Sequence, residues 1–169
     1  MSLTLTILGC GSSGGVPRPA LGWGVCDPNN PKNRRRRCSL LLEKRGDAGT
    51  TTILIDTSPD LREQLLDANV DHVDAVFLTH EHADQTHGID DLRGVVMHMR
   101  RRIPVYLNQS TAKDILVRFG YCFQTPRAIR YFGNAGCRYD NENSVPLSAS
   151  VRHRIAEIVA QEHRQGCSD

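Results

Sequence analysis

The chain has 169 residues and a mass of 18.8 kDa, a size that suits one globular domain or part of a larger one. With 39% hydrophobic and 24% charged residues, its composition excludes a disordered chain, a collagen-like chain and a coiled coil. The net charge of +2 is too small to indicate a nucleic-acid partner by itself. No apolar run approaches the ~20 residues that span a bilayer, and residues 1–8 lack the basic start of a signal peptide. We therefore expect a cytoplasmic protein with no membrane partner.

Strands and helices are predicted to alternate along the first 119 residues. Apolar and β-branched runs predict five strands, and apolar stripes at helical spacing predict three helices. The first helix is predicted to begin with Ser58 as its cap and Pro59 at its first position. In chain order the predicted strands are residues 3–8, 39–43, 51–55, 75–78 and 104–107. The first helix is predicted to start at residue 58 and to carry Leu61, Leu65 and Leu66 as its apolar stripe, and the other two helices are residues 89–98 and 110–119. This order predicts an α/β fold with helices on a sheet.

Six cysteines are present, and none form a C-x-x-C pair. Because we expect no secretion signal, we interpret all six as reduced thiols. Residues 17–31 carry four prolines and form a long loop, and long structured loops in compact domains are usually functional.

The strongest chemical signal is Thr79-His80-Glu81-His82-Ala83-Asp84, directly after a predicted buried strand. Histidines two residues apart share a face at a strand end. Imidazole nitrogens and a carboxylate converging there would suit zinc or a similar divalent ion. The alternative is an ordinary polar loop whose histidines form hydrogen bonds. Three ligand types at this spacing favour the metal site.

This motif resembles the signature of the metallo-β-lactamase superfamily. The segment from Gly9 to Pro17 resembles the subgroup with the cyclic-phosphate phosphodiesterase of phosphonate breakdown and the tRNA 3′-processing endonucleases. The resemblance covers roughly residues 3–123. It implies an αββα sandwich, apparently truncated to its N-terminal half, in which residues 1–125 are the family part and residues 126–169 a separate tail with a terminal helix.

The resemblance also implies roles for particular residues. His80 and His82 would hold the first metal, and Asp84 would bind a second metal and orient the attacking water as the catalytic carboxylate. Asp56 would hydrogen-bond the histidine loop from beneath, although a strand-end aspartate can also simply bond backbone in a turn. The implied cofactor is a divalent metal, zinc first and manganese as the alternative.

One position departs from the family pattern. The family usually has a histidine after the aspartate, and here Gln85 stands there. A neutral amide is a poor zinc ligand, so we expect Gln85 to support the metal site rather than to bind the metal. His87 lies three residues after Asp84 and could replace the missing ligand if the segment is helical. The alternative is that His87 only lines the loop.

Phosphate-binding residues stay unassigned in the sequence. Gly9–Gly15 could cradle a phosphate through backbone N–H groups, or could be a tight turn that lets the chain pass close beside the histidine loop. Two arginine runs, at residues 34–37 and 100–102, could attract phosphate or be solvated charge. The related phosphodiesterases carry a structural zinc in a cysteine-rich loop, but Cys26 and Cys38 alone do not complete a tetrahedral site.

The later family ligands have no counterpart in the sequence. The family supplies a further His, a bridging Asp and a final His downstream, whereas after residue 123 only His153 and His163 occur. We expect a metal-dependent hydrolase of a small (cyclic) phosphodiester. The alternatives are a tRNA-processing nuclease relative and a degenerate, non-catalytic metal-binding fragment. The expected partners are a small phosphorylated substrate, no nucleic acid, and a second copy of the chain through an uncovered sheet face.

Overall fold

A five-stranded mixed sheet organises the protein, for which a computed structural model describes residues 2–47 and 49–123. The strands are β1 (Ser2–Gly9), β2 (Ser39–Gly46), β3 (Gly49–Ile55), β4 (Ala75–Phe77) and β5 (Val105–Tyr106). The helices are α1 (Leu61–Asp67), α2 (Ala83–Thr86), α3 (Leu92–Met99) and α4 (Gln109–Phe119), with short 3₁₀ turns at Pro31–Asn33, Ile89–Asp91 and Gly120–Phe123. Among these residues no helix is long and apolar enough to cross a membrane.

All five predicted strands are present, and the helix boundaries are where the prediction was wrong. The first helix begins at Leu61, three residues after Ser58. The Ser58 hydroxyl instead accepts the Asp60 N–H at 3.1 Å, which folds this segment into a turn of its own. The second predicted helix divides into a 3₁₀ turn followed by α3, so its regular part begins at Leu92. The predicted terminal helix and the boundary at residue 125 lie outside the described residues.

The strand directions place the segments after β1, β3 and β4 at one edge of the sheet. The spatial order is β1-β2-β3-β4-β5, in which β1, β2 and β3 pair antiparallel and β3, β4 and β5 pair parallel. The strands β1, β3, β4 and β5 therefore point the same way, and their carboxyl ends share one edge. Gly9, Asp56 and the histidine loop all follow strand ends at that edge.

The hydrophobic core lies between one face of the sheet and the helices. Leu54, Val76 and Val105 project from that face and are at most 1% exposed. They pack in one cluster with helix residues such as Leu61 and Ile115. Burying apolar side chains of this size contributes roughly 1.5–3 kcal/mol each.

The opposite face of the sheet is poorly covered at β1. Leu3, Leu5 and Ile7 are 72%, 37% and 40% exposed. Through the strand register they share their face with the half-buried Leu42 and Ile53. The described residues thus leave an apolar stripe open on this face, as the sequence analysis expected.

The glycines after β1 allow the chain to pass close to another backbone segment. The Gly11 N–H donates to the Arg36 carbonyl at 2.7 Å, and a Cβ on Gly9 would overlap the Arg37 carbonyl. Of the two interpretations of Gly9–Gly15, this geometry favours the tight turn. The segment it approaches is the arginine run, rather than the histidine loop.

A second close approach fixes the histidine loop on the start of α1. The Gly88 N–H donates to the Thr57 carbonyl at 2.9 Å, and the Thr57 N–H donates to the Gln85 carbonyl at 2.7 Å. A Cβ on Gly88 would overlap the Ser58 carbonyl and press on the Leu61 side chain. Only glycine leaves room for this contact.

Replacing Gly88 should therefore destabilise the protein. We expect Gly88→Ala to lower the free energy of unfolding by about 1–3 kcal/mol, the usual cost of an overpacked site. Gly94→Ala is the matched control, because its Cβ meets nothing within 4 Å and it lies inside helix α3, where alanine is favoured by roughly 0.5–1 kcal/mol. Urea unfolding of both variants measures the difference. Equal effects of the two substitutions would contradict this account.

Candidate metal centre

The two motif histidines lie side by side in the loop between β4 and α2. Their ring centroids are 4.7 Å apart, and the rings meet edge to face at 77°. His80 is half-buried and His82 is exposed. The strand end thus brings both imidazoles together, as their two-residue spacing predicts.

Asp56 supports this loop from the end of the neighbouring strand. Its backbone adopts a left-handed φ of 61°, a conformation that aspartate tolerates better than most residues. The Asp56 carboxylate accepts the Thr79 N–H at 2.8 Å, and both of its oxygens accept the Thr79 hydroxyl, at 2.8 and 3.0 Å. The carboxylate is therefore used to hold the first residue of the motif, immediately before His80.

Thr79 extends this network to His80. Its Oγ1 lies 2.9 Å from His80 Nδ1. Because the hydroxyl proton is donated to Asp56, the hydroxyl oxygen accepts a hydrogen bond from the Nδ1–H of His80. In the neutral imidazole this arrangement places the hydrogen on Nδ1 and leaves the Nε2 lone pair available to a metal ion.

Burial dominates the electrostatics of Asp56. Its side chain is almost fully enclosed, and this desolvation raises the pKa of Asp56 to about 6, against the lowering effect of the Thr79 hydrogen bonds and of nearby His80. The carboxylate is consequently a buried group whose charge depends on pH near neutrality.

Asp84, Gln85 and His87 make contacts of their own beside the histidine pair. The buried Gln85 donates from Nε2 to Asp84 Oδ2 at 2.9 Å, so it contacts the carboxylate that it follows. Asp84 lies in the short helix α2, and His87 is the cap residue at its end. The His87 ring packs edge to face against Phe119, with centroids 5.4 Å apart.

The donor chemistry fits part of a metal site. Two adjacent imidazoles, one with a fixed tautomer, are suitable ligands for zinc and similar ions. Within residues 2–47 and 49–123, however, no three His, Cys, Asp or Glu side chains are arranged so that they could hold a metal ion. The structure brings His80 and His82 together and does not gather Asp84 or His87 with them. The metal roles of Asp84 and His87 stay predictions.

The arginine run has partners within the chain. Arg37 donates to Asp60 through its backbone N–H at 2.8 Å and through Nε at 2.9 Å, and this pairing holds the pKa of Asp60 below its usual range. Arg36 forms an ion pair with Asp67, Arg35 donates to Cys26 Sγ at 3.3 Å, and Arg34 lies over the Trp23 ring. These contacts favour a structural role for the run over the capture of phosphate.

Comparison with known proteins assigns the family. The model of the beta-lactamase superfamily domain matches residues 51–166, more than half of the chain. The chain belongs to the beta-lactamase superfamily. This confirms the resemblance inferred from the histidine motif, and the matched residues extend into the segment that the sequence analysis set apart as a tail.

Three relatives show how far the likeness extends. A diphosphatase from the PhnP family has 38% identity and a TM-score of 0.65, covering 73% of this chain and 48% of its own. Zn²⁺-bound PqqB from Methylobacterium extorquens, with 22% identity and a TM-score of 0.52, covers 66% of this chain and 39% of its own, and shows the fold alone. An octanoyltransferase from Porphyromonas gingivalis (strain ATCC BAA-308 / W83) is 44% identical over 118 residues, which are 70% of this chain and 23% of that protein. The chain thus spans less than half the length of each.

The fold expectation is confirmed at the level that these comparisons reach. The chain has the α/β, metallo-β-lactamase type of fold and corresponds to part of the related chains. The Asp56 network and the tautomer of His80 are features that the motif alone did not reveal.

The buried Asp56 should make stability depend on pH. Between its ordinary pKa of 3.8 and about 6, the folded chain binds a proton that the unfolded chain has released. The free energy of unfolding should therefore fall as the pH rises through this window, by up to about 1.4 kcal/mol per pH unit. Urea unfolding in chelator at about pH 4, 5, 6 and 7 measures the slope. Asp56→Asn should flatten it, and equal slopes in both proteins would show that Asp56 does not cause it.

Proposed function

We propose that this protein contributes the histidine pair of a metal-dependent hydrolase active on phosphodiester or diphosphate bonds, with a small cyclic phosphodiester as the first substrate to test. The supporting observation is the His80–His82 pair at the end of β4, held by Thr79 and Asp56. Its chain is 38% identical to a diphosphatase over the compared region. This similarity supports hydrolysis of a phosphorus–oxygen bond as the reaction to propose for the site.

Two residues of this chain would have separate roles in the reaction. His80 would bind the ion through Nε2, because Thr79 occupies its Nδ1. Asp84 would orient the attacking water and accept its proton through Oδ1, since its Oδ2 accepts the Gln85 amide. A divalent ion, when bound, supplies a water of lowered pKa and polarises the phosphoryl oxygen. Zinc is our first choice, with manganese second, because imidazole nitrogen is a preferred zinc ligand.

A second candidate is a non-catalytic metal-binding fragment. The observation in its favour is that the described part of the chain gathers only two of the predicted ligands, whereas a catalytic zinc site usually has three protein ligands. The two candidates differ in whether further ligands complete the site. Octanoyl transfer is not proposed, because the match to the octanoyltransferase covers only 23% of that protein.

Metal content and hydrolysis separate these candidates. The full chain, purified without chelator, should contain a divalent ion, and the double variant His80→Ala/His82→Ala should lose it. His98→Ala is the control, since this histidine is exposed on α3, away from the loop. Elemental analysis gives the metal content, and an activated phosphodiester, a diphosphate and a β-lactam serve as substrates.

Each outcome selects one interpretation. Hydrolysis of either phosphorus substrate by the wild type, lost in the double variant, would support the hydrolase. Bound metal without hydrolysis would support the fragment. The same metal content in the wild type and the double variant would remove both proposals, and preferential turnover of the β-lactam would replace the substrate class.

We also propose that copies of this chain associate through the open face of β1. Exposed Leu3, Leu5 and Ile7 form an apolar stripe, and exposed apolar stripes promote association. β1 is also an edge strand, with one side free for pairing in the described sheet.

Replacing the stripe should weaken this association. Threonine keeps strand propensity, so we expect Leu3→Thr/Leu5→Thr/Ile7→Thr to shift the chain from oligomer towards monomer. Val25→Thr is the control, because this valine is 80% exposed in the long loop, far along the chain from β1. Sedimentation velocity measures the distribution. A wild-type chain that is monomeric at high concentration would contradict the proposal.

A further inference from the structure

The end of helix α4 contacts the histidine loop at one backbone atom. Arg118 Nη1 donates to the Glu81 carbonyl at 2.7 Å. Glu81 lies between the two motif histidines, so this carbonyl is one residue from both imidazoles. The contact joins residues 37 positions apart, and it is the only hydrogen bond from α4 to this loop among the described residues.

Helix α4 is a firm support for this arginine. The Asn108 side chain caps the helix by accepting the Thr111 N–H at 2.9 Å. Three residues on the inner face of the helix are at most 5% exposed: Thr111, Ala112 and Ile115. Side chains presented by packed helices are placed more precisely than those presented by loops.

The same segment meets the loop region at two further points. Phe119 packs on His87, and Cys122 Sγ lies 3.8 Å from Asp90 Oδ1. Residue 118 thus contacts residue 81, residue 119 contacts residue 87, and residue 122 contacts residue 90, so the two segments run in the same order along each other. The end of α4 and the turn that follows it therefore contact the histidine loop, the cap of α2 and the 3₁₀ turn after it in succession.

We propose that Arg118 is a positioning residue that fixes the His80–His82 loop through the Glu81 carbonyl. Asp56 holds the start of the loop at Thr79, and Arg118 holds its middle. With the loop anchored at its start and at its middle on packed elements, the two imidazoles keep the mutual geometry that a metal ion needs. The metal part of this inference rests on the proposed function, whereas the support of the loop does not.

The charge of Arg118 and its positioning role predict opposite changes in metal affinity when the residue is replaced. Arg118 has no salt bridge to a carboxylate in the described part of the chain, so it places a positive charge near the proposed cation site. Removing that charge would by itself strengthen cation binding. A positioning role predicts the opposite result, because a loosened loop must be ordered again when the metal binds.

Four proteins test this inference: the wild type, Arg118→Met, Arg118→Lys and the control Lys113→Met. Lys113 is exposed on the same helix, so its variant removes one positive charge without touching the loop. Hydrogen exchange of a peptide that spans residues 79–88 reports loop opening through the amide of Gln85, which donates to the His82 carbonyl, and through the amide of His87, which donates to Ala83 at the start of α2. Cobalt titration of the chelator-treated full chain reports metal affinity.

We expect Arg118→Met to speed exchange in the loop several-fold and to weaken cobalt binding by about 10-fold, the usual lower end for residues that orient metal ligands. Arg118→Lys should fall between it and the wild type, because lysine retains the charge but not the planar fork. Lys113→Met should match the wild type in both measurements.

Loop exchange and cobalt binding test different proposals. Unchanged loop exchange in Arg118→Met would overturn the positioning role, and tighter cobalt binding in that variant would then show that only the charge of Arg118 acts on the metal. If the wild type binds no cobalt, the proposed function fails, and loop exchange still decides whether Arg118 holds the loop. A peptide spanning residues 109–119 shows whether α4 itself has loosened. If it has, Arg118→Lys becomes the deciding variant, and wild-type loop exchange there would overturn the proposal.

Discussion

The candidate site depends on the junction between the ends of β3 and β4. There Asp56 turns out of β3 with a left-handed backbone, and its carboxylate accepts both donors of Thr79. The Asp56 N–H donates to the Phe77 carbonyl at 2.8 Å, so the two strand ends are joined by backbone as well as side chain. A buried carboxylate is costly unless it is well paired, and the Thr79 hydrogen bonds offset only part of that cost, because burial still raises the pKa of Asp56. The same hydrogen bonds orient the residue next to His80.

The sheet makes this junction possible. Because β3 and β4 are parallel neighbours, their carboxyl ends lie side by side, and residues 56 and 79 meet although 23 positions separate them. Helix α1 and the loop then share backbone hydrogen bonds at Thr57, which Gly88 permits by having no Cβ. The core side chains Leu54 and Val76 fix the same two strands from below. Site geometry and core packing are therefore parts of one arrangement.

The histidine loop is held from two sides with different chemistry. On the inner side a buried carboxylate binds Thr79, and on the outer side an exposed guanidinium binds the Glu81 carbonyl. A polar contact also fixes the segment just before β2. There Arg37 binds the Asp60 carboxylate and so ties this segment to the start of α1. Charged residues that looked like an anion-binding surface thus serve mainly to connect loops to the sheet edge.

The sequence by itself determined the strands, the family and the histidine pair, because these depend on local alternation and on residues a few positions apart. It predicted the contact of Asp56 with the histidine loop only through family resemblance. It placed the start of α1 too early, because a serine–proline pair predicts a cap whether or not a tertiary contact claims it. Only the tertiary structure revealed that Thr79 sets the tautomer of His80, that Asp60 pairs with Arg37, and that Arg118 reaches Glu81. Each of these contacts joins distant segments through the sheet, and no local pattern in the chain encodes which side chains the folded strands bring together.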